Sequence, residues 1–206
     1  IKSAVSQVER ITGKNLTLPI LSSILLTTSV NSLKLRSTNL NLGIEIEIPV
    51  KIEKEGILAI SGSTLNAVFS NVFQNENVYL ENQDGNLLIK TKKSQIKLKS
   101  QPHEDFPTIP IVAGNSFEIE SSKLIDGIKS VYYSSSVSDI KPEISSVFIY
   151  TNEDNLIFVS TDSFRLAEKK IKVKELKEIS GILIPFKNIP EILRVFGELQ
   201  DEVKVC

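Results

Sequence analysis

The 206-residue chain has little of what enzyme and metal sites are built from: one cysteine, one histidine, no methionine and no tryptophan. A single thiol, Cys206, cannot form an internal disulfide, which fits a protein of a reducing compartment. The one histidine, His103, stands in the proline-flanked segment PHEDFP, and we interpret it as an exposed linker residue rather than a base or ligand. The sequence also has no glycine-rich phosphate loop and no Gly-x-Ser-x-Gly elbow. We therefore expect neither an enzyme nor a bound metal or cofactor.

Strong charge of either sign is also missing. The 24 basic and 25 acidic residues give a formal net charge of −1, so the total charge indicates neither nucleic acid nor membrane as a partner. No apolar run is long enough to span a bilayer, and the first residues do not resemble a signal peptide. A composition that is 41% hydrophobic and 24% charged is typical of a globular protein with one large domain or two small ones.

The most informative feature present is an internal repeat, because stretches of the first half recur 123 positions later, as from 19 to 142. The clearest pairs are PILSSILL at 19–26 with PEISSVFI at 142–149, and STN at 37–39 with STD at 160–162. So long a period indicates a domain duplication. We predict domains at 1–112 and 113–206, joined through an extended, proline-rich linker at 101–116. By comparison of the copies, we expect the first domain to lack its first strand and the second to be truncated at its C-terminal end.

Hydrophobic periodicity predicts the same order of elements in each copy. Residues 1–11 place apolar side chains at helical spacing, and IEIEIPV at 44–50 alternates with the period of a strand. The predicted helices are 1–11, 63–73, 122–136 and 187–196. The predicted strands are 20–28, 33–38, 44–52, 57–60, 78–82, 87–91, 95–100 and 116–120. Each unit is therefore expected to be α+β, with two helices laid on antiparallel sheet.

Two features could carry function. Three of the predicted helices have polar faces of net charge +1, which suits phosphate contact, although ordinary solvated faces are the favoured explanation on charge alone. The segment STDSFRL at 160–166 places Arg165 between Phe164 and Leu166 beyond a polar turn. It could form a groove with an apolar floor that binds a partner, or it could be a strand edge with a structural arginine salt bridge.

Taken together, these features resemble the bacterial beta sliding clamp, the beta subunit of DNA polymerase III. The resemblance rests on LTLPILSSILL at 16–26, DFP at 105–107 and STDSFRLA at 160–167, in that order and spacing. It covers essentially the whole chain but only the first two of that family's three domains, so the third domain is expected to be absent from this sequence. It implies a fold of duplicated clamp domains and a function as a DNA polymerase processivity factor.

The resemblance also implies partners and sites. The complete protein would be a head-to-tail homodimer around double-stranded DNA, cytoplasmic and nucleoid-associated, with no membrane partner. It would bind the polymerase III alpha subunit, the clamp loader and other replication and repair proteins through a hydrophobic peptide-binding pocket. The pocket residues implied are Ile144, Thr161, Ser163, Phe164, Arg165 and Leu166.

The DNA-binding residues are less firmly placed. The loops that contact DNA in the family offer Lys14 and Lys141, whereas the helix faces suggest the remaining candidates, Arg10, Lys123, Lys129 and Arg194.

Phe164 departs from the family, which commonly has histidine at this position, and is expected to make the pocket more apolar or narrower. The alternative from a different class is a duplicated, β-rich protein-interaction module that never encircles DNA.

Overall fold

The computed structural model describes residues 1–13, 17–72, 76–110, 116–138, 140–173, 179, 181–197, 199 and 201–206. Two structural units divide the chain, Ile1–Pro110 and Ile111–Cys206. Each contains two α-helices and antiparallel sheet, so the predicted α+β class is confirmed.

The first unit contains two antiparallel sheets. Its elements are α1 (Lys2–Glu9), β1 (Ser23–Ser29), β2 (Ser32–Thr38), β3 (Gly43–Pro49), β4 (Ile57–Ser61), α2 (Gly62–Ser70), β5 (Tyr79–Gln83), β6 (Asn86–Lys90), β7 (Gln95–Leu98) and β8 (Ser100–Gln101). The larger sheet has the order β3-β2-β1-β4-β8, and the smaller one is β5-β6-β7. The apolar stripes of α1 and α2, including Val5, Val8, Leu65 and Phe69, are buried in one core with side chains of both sheets.

The second unit repeats this plan. Its elements are β9 (Phe117–Glu120), α3 (Ser121–Val131), β10 (Ser146–Asn152), β11 (Asn155–Thr161), β12 (Leu166–Lys172), β13 (Ile182–Pro185), α4 (Ile189–Gly197) and β14 (Glu202–Val205). One sheet has the order β12-β11-β10-β13, and β14 pairs with β9 in a second. The core combines α3 and α4 with the inner faces of these strands, as in the first unit.

The duplication extends to single hydrogen bonds. The bounds of β1, β2 and β3 become those of β10, β11 and β12 when 123 is added to each number. The hydroxyl of Ser37 donates to the carbonyl of Val8, and the hydroxyl of Ser160 donates to that of Val131, the equivalent residue. Both serines are buried. A buried hydroxyl must find an acceptor, and both copies solve this by the same contact between strand and helix.

The contact of the first helix with the second strand of each copy shows a compensated size change. In the first unit, Ala4 of α1 and Leu35 of β2 are both buried in the core. The equivalent residues of the second unit are Gly127 of α3 and Phe158 of β11. A Cβ atom at Gly127 would lie only 2.4 Å from the Phe158 ring. The larger ring therefore fits because the helix residue has no side chain.

Several predicted boundaries differ from those of the structure, and three of the differences have a local cause. The strand expected from residue 20 begins at Ser23, because Pro19–Ser22 forms a 3-10 turn with proline at its start. The helix expected over 122–136 ends at Val131 and continues as a 3-10 turn. The helix expected from 187 begins at Ile189, which leaves Pro190 in the first turn, where a missing N–H costs no hydrogen bond.

The stretch 101–110 is not a free linker. β8 pairs with β4 along the edge of the sheet, and Phe106 packs against the buried cluster Ile20, Leu25 and Ala59. This segment therefore covers the outer face of the first unit's larger sheet. The predicted boundary at residue 112 lies outside the described residues.

Candidate functional site

The sequence STDSFRL forms the turn between β11 and β12, and we call residues 161–166 the second turn. Thr161 and Leu166 close it as paired residues at the ends of the two strands. Ser163 has a φ of 77°, a left-handed conformation that reverses the chain. The Thr161 hydroxyl accepts from the Ser163 amide at 3.1 Å and donates to the Arg165 carbonyl at 2.7 Å.

The carboxylate of Asp162 organises both the backbone of this turn and one of its side chains. Its Oδ1 accepts from the amides of Phe164 and Arg165, each at 3.0 Å. Its Oδ2 accepts from Nε of Arg165 at 2.9 Å. The two backbone hydrogen bonds, supported by the Arg165 side chain, lower the pKa of Asp162 below its ordinary value. Asp162 therefore stays ionised at neutral pH.

The guanidinium of Arg165 is held at two points. Besides the ion pair with Asp162, its Nη2 donates to the backbone carbonyl of Tyr133 at 2.7 Å. The guanidinium carbon lies 5.9 Å from the centroid of the Tyr133 ring, within the range of a cation–π contact. Tyr133 belongs to the 3-10 turn after α3, so Arg165 ties the second turn to the end of that helix.

Apolar side chains around Arg165 are open to solvent. Phe164 is 97% exposed, Leu166 66% and Tyr133 57%. The Phe164 side chain projects from the tip of the turn into solvent, and its place in a partner-binding pocket stays a prediction. The salt bridge expected under the alternative interpretation is present, and it coexists with the exposed apolar surface.

Ile144 lies at the same end of the sheet as the second turn. Because β10 and β11 are antiparallel, the start of β10 and the end of β11 are neighbours. Ile144 comes two residues before β10, where its amide donates to the Lys141 carbonyl and its carbonyl accepts from Ser136. It is half-buried. The topology thus brings all six predicted pocket residues to one end of one sheet.

The equivalent loop of the first unit, residues 38–43, is called the first turn and has the same backbone. Asn39 Oδ1 accepts from the amides of Asn41 and Leu42, at 3.0 and 2.9 Å. The Thr38 hydroxyl donates to the Leu42 carbonyl at 3.0 Å, and Leu40 has a φ of 73°. At the end of this turn, a Cβ atom on Gly43 would lie 3.2 Å from Ile109. The two turns therefore share a scaffold and differ in the side chains that they display.

The predicted DNA-binding residues of α3 lie on its solvent-exposed side. Lys123 and Lys129 are both exposed and stand about 120° apart around the helix. Lys123 forms an ion pair with Glu120 at 2.5 Å, and Asp126 lies between the two lysines and pairs with Lys169 of β12 at 3.2 Å. The exposed stripe of α3 is therefore mixed in charge.

The other candidate DNA-binding residues differ in how far their side chains are exposed and in whether they form ion pairs. Arg10 and Lys141 are exposed, whereas Lys14 lies outside the described residues. Arg194 is the least available, because its Nε donates to Glu191 at 2.8 Å and only 23% of its side chain is exposed.

No group of three or more metal-ligating side chains occurs in the described part of the chain. His103 is half-buried rather than exposed, with Nδ1 3.8 Å from a Glu104 oxygen. No helix within the described residues is long and apolar enough to cross a membrane.

Comparison with known proteins matches each unit to a separate family model. Residues 1–110 match the N-terminal domain of the DNA polymerase III beta subunit, and residues 118–206 match its central domain. The chain belongs to the DNA polymerase III beta subunit family. The resemblance inferred from the sequence motifs is thereby confirmed.

Relatives of this family support the assignment over most of the chain. The beta sliding clamp of Micrococcus luteus is 24% identical over 96% of this chain, and that of Synechococcus elongatus 25% identical over 82%. The chain spans about half the length of such relatives, 64% and 46% respectively. The crystal structure of the DNA polymerase III subunit beta from Pseudomonas aeruginosa has the same fold, with a TM-score of 0.91 at 23% identity over 98% of this chain and 56% of that one.

Sequence reasoning missed two residues that build the site. Asp162 could have been identified from the sequence, since it aligns with Asn39 and both residue types favour such turns. No sequence pattern identifies Tyr133, because it contributes a backbone carbonyl that any residue could supply.

Proposed function

We propose that this chain supplies the first two domains of a DNA polymerase processivity factor, a ring-forming sliding clamp that encircles duplex DNA. The observation that carries the proposal is the family match of both units, in chain order, to domains of the polymerase III beta subunit. The protein would perform no covalent chemistry and would not be an enzyme. It would act by topology, since a closed ring can slide on DNA and still not dissociate.

The ring would be a homodimer of head-to-tail subunits in the complete protein. Its inner surface would contact phosphates without reading bases, through Arg10, Lys14, Lys123, Lys129 and Lys141, with Arg194 the weakest candidate because of its ion pair. A mixed-charge stripe such as that of α3 suits this role, since strong phosphate binding would hinder sliding. A net charge of −1 is then no objection.

The second turn would dock the proteins that the clamp tethers. Arg165 and Leu166, with Thr161, Ser163, Phe164 and Ile144 at the same end of the sheet, would receive a short peptide with apolar anchors. The exposure of Leu166 and Phe164 supports this role, because large exposed apolar side chains close together mark interaction sites. The partners would be the polymerase III alpha subunit, the clamp loader and other replication and repair proteins. Tethering raises the polymerase's effective concentration at the primer end.

Retention on DNA of different topology tests the ring. The complete protein, loaded onto nicked circular DNA by a clamp loader, should stay bound through gel filtration, and linearising the same DNA should release it. A clamp of this kind would be located on the nucleoid, in the cytoplasm. Equal retention on circular and linear DNA would contradict the proposal. No retention on either, together with peptide binding, would favour a protein-interaction module that never encircles DNA.

A further inference from the structure

We infer that Asp162 is a positioning residue for partner docking, whose negative charge fixes the Arg165 guanidinium in the orientation that the partner meets. The inference rests on the docking role proposed for the second turn. It concerns a residue that the proposed docking set does not contain.

Arg165 would otherwise be a mobile side chain. An exposed arginine loses much rotational freedom when it is held in one geometry. Here the Nε–H is held by Asp162 at 2.9 Å and one N–H of Nη2 by the Tyr133 carbonyl at 2.7 Å. These two bonds fix the plane of the guanidinium. The remaining N–H groups, on Nη1 and Nη2, then point in set directions toward a peptide carbonyl or carboxylate.

The first turn shows what the charge of Asp162 is for. Asn39 holds the same two backbone amides with a neutral amide oxygen, at 3.0 and 2.9 Å against 3.0 Å for each in the second turn. The backbone therefore needs only the oxygen that faces it. The residue in the place of Arg165 is Leu42, which has no charge to hold. Of the two turns, only the one that carries an arginine has a carboxylate at this position. We therefore infer that the negative charge of Asp162 serves to hold the Arg165 guanidinium.

The experiment separates this role from a structural one by a double-mutant cycle. The binding probe is a synthetic peptide that copies the C-terminal tail of the polymerase III alpha subunit. Its affinity is measured for the complete protein, for Asp162→Asn, for Arg165→Ala and for the double variant. Asp162→Asn keeps the oxygen that holds the backbone, removes the charge and replaces Oδ2, the acceptor of the Arg165 Nε–H, with an NH2 group that cannot accept. Asn39→Asp is the matched control in the first turn.

We expect Asp162→Asn to weaken peptide binding about two- to fivefold, the range for an exposed ion pair. In the Arg165→Ala background the same change should have no further effect, and Asn39→Asp should leave affinity unchanged. A spectroscopic signal adds a test that needs no peptide. The NMR resonance of the Arg165 Nε–H should shift and exchange faster with water in Asp162→Asn.

Two results would overturn the inference. One is an Arg165 Nε–H resonance that Asp162→Asn leaves unchanged. The other is a loss of affinity of equal size in the presence and absence of Arg165, which would mean that Asp162 acts through the backbone alone. Failure of the unaltered protein to bind the peptide would instead sink the docking role, and the resonance would still decide whether Asp162 holds Arg165.

Discussion

The first and second turns share one backbone conformation but display different side chains. In each, a hydroxyl and an Asx side chain hold the same backbone, and a residue with a φ above 70° reverses the chain. The first turn ends on Leu42 and Gly43, with Ile109 packed close to the glycine. The second ends on Arg165 and Leu166, which lie open to solvent. The comparison shows that a duplicated scaffold can be kept while the side chains that it displays change from one copy to the other.

The sharpest test of structural equivalence lies beneath the turns, in the helix–strand contact of each core. Gly127→Ala should destabilise the second unit by about 1–3 kcal/mol, the usual cost of overpacking, because the new methyl group would meet the Phe158 ring. Adding Phe158→Leu should recover much of this loss, since it recreates the Ala4–Leu35 pair of the first unit. Chemical denaturation measures both variants.

The reciprocal change is the control for that prediction. Leu35→Phe in the first unit should be destabilising, and Ala4→Gly added to it should relieve the strain. If Phe158→Leu fails to rescue Gly127→Ala, the two contacts are not equivalent and the packing comparison is wrong.

The proposed difference in function is tested by matched alanine variants. Arg165→Ala or Leu166→Ala should weaken binding of the polymerase-tail peptide about tenfold or more, the size typical of an anchor residue. Leu42→Ala, at the position equivalent to Arg165, should leave affinity unchanged. Isothermal titration calorimetry provides the affinities, and circular dichroism checks that each variant is folded. Unchanged affinity in both second-turn variants would remove the docking assignment.

Phe164 separates docking from stability. Because its ring is 97% exposed, Phe164→Ala should change the free energy of unfolding by less than about 0.5 kcal/mol. Peptide affinity should fall about threefold, since the ring can bury apolar surface only when a partner covers it. Asn41→Ala is the matched variant of the first turn and should leave peptide affinity unchanged. A large loss of stability in Phe164→Ala would show that the ring packs against the protein.

The smallest expected effect is that of Asp162→Asn on the pH dependence of stability in the acid range. The pKa of Asp162 is lowered in the folded protein, so its contribution to stability is fully present above its unfolded-state pKa. That contribution is lost as pH falls through the lower, folded-state value. Asp162→Asn should therefore differ from the unaltered protein at neutral pH and converge with it in acid. Urea denaturation at pH values from neutral to below about 4 measures this, and a difference that grows in acid would contradict it.

The sequence predicted the repeat, the α+β class and the identity of the elements, because the apolar periods of α1 and β3 and the shared serine and proline positions are local signals. It did not predict that Phe106 folds back onto the first sheet, since nothing in PHEDFP shows which face it covers. The sequence also did not predict the direction of the Phe164 ring, because this direction depends on the left-handed φ of Ser163. The link from Arg165 to Tyr133 joins residues 32 positions apart, and only the fold places them together.

Backbone hydrogen exchange in the two turns, measured with and without the polymerase-tail peptide, tests the central claim within one molecule. The amides of residues 163–166 should exchange more slowly when the peptide is bound, and those of residues 40–43 should not change. Equal protection of both turns would contradict the account, because it would mean that the duplication produced two docking sites. Protection of the first turn alone would mean that the peptide docks on the first turn and not on the second.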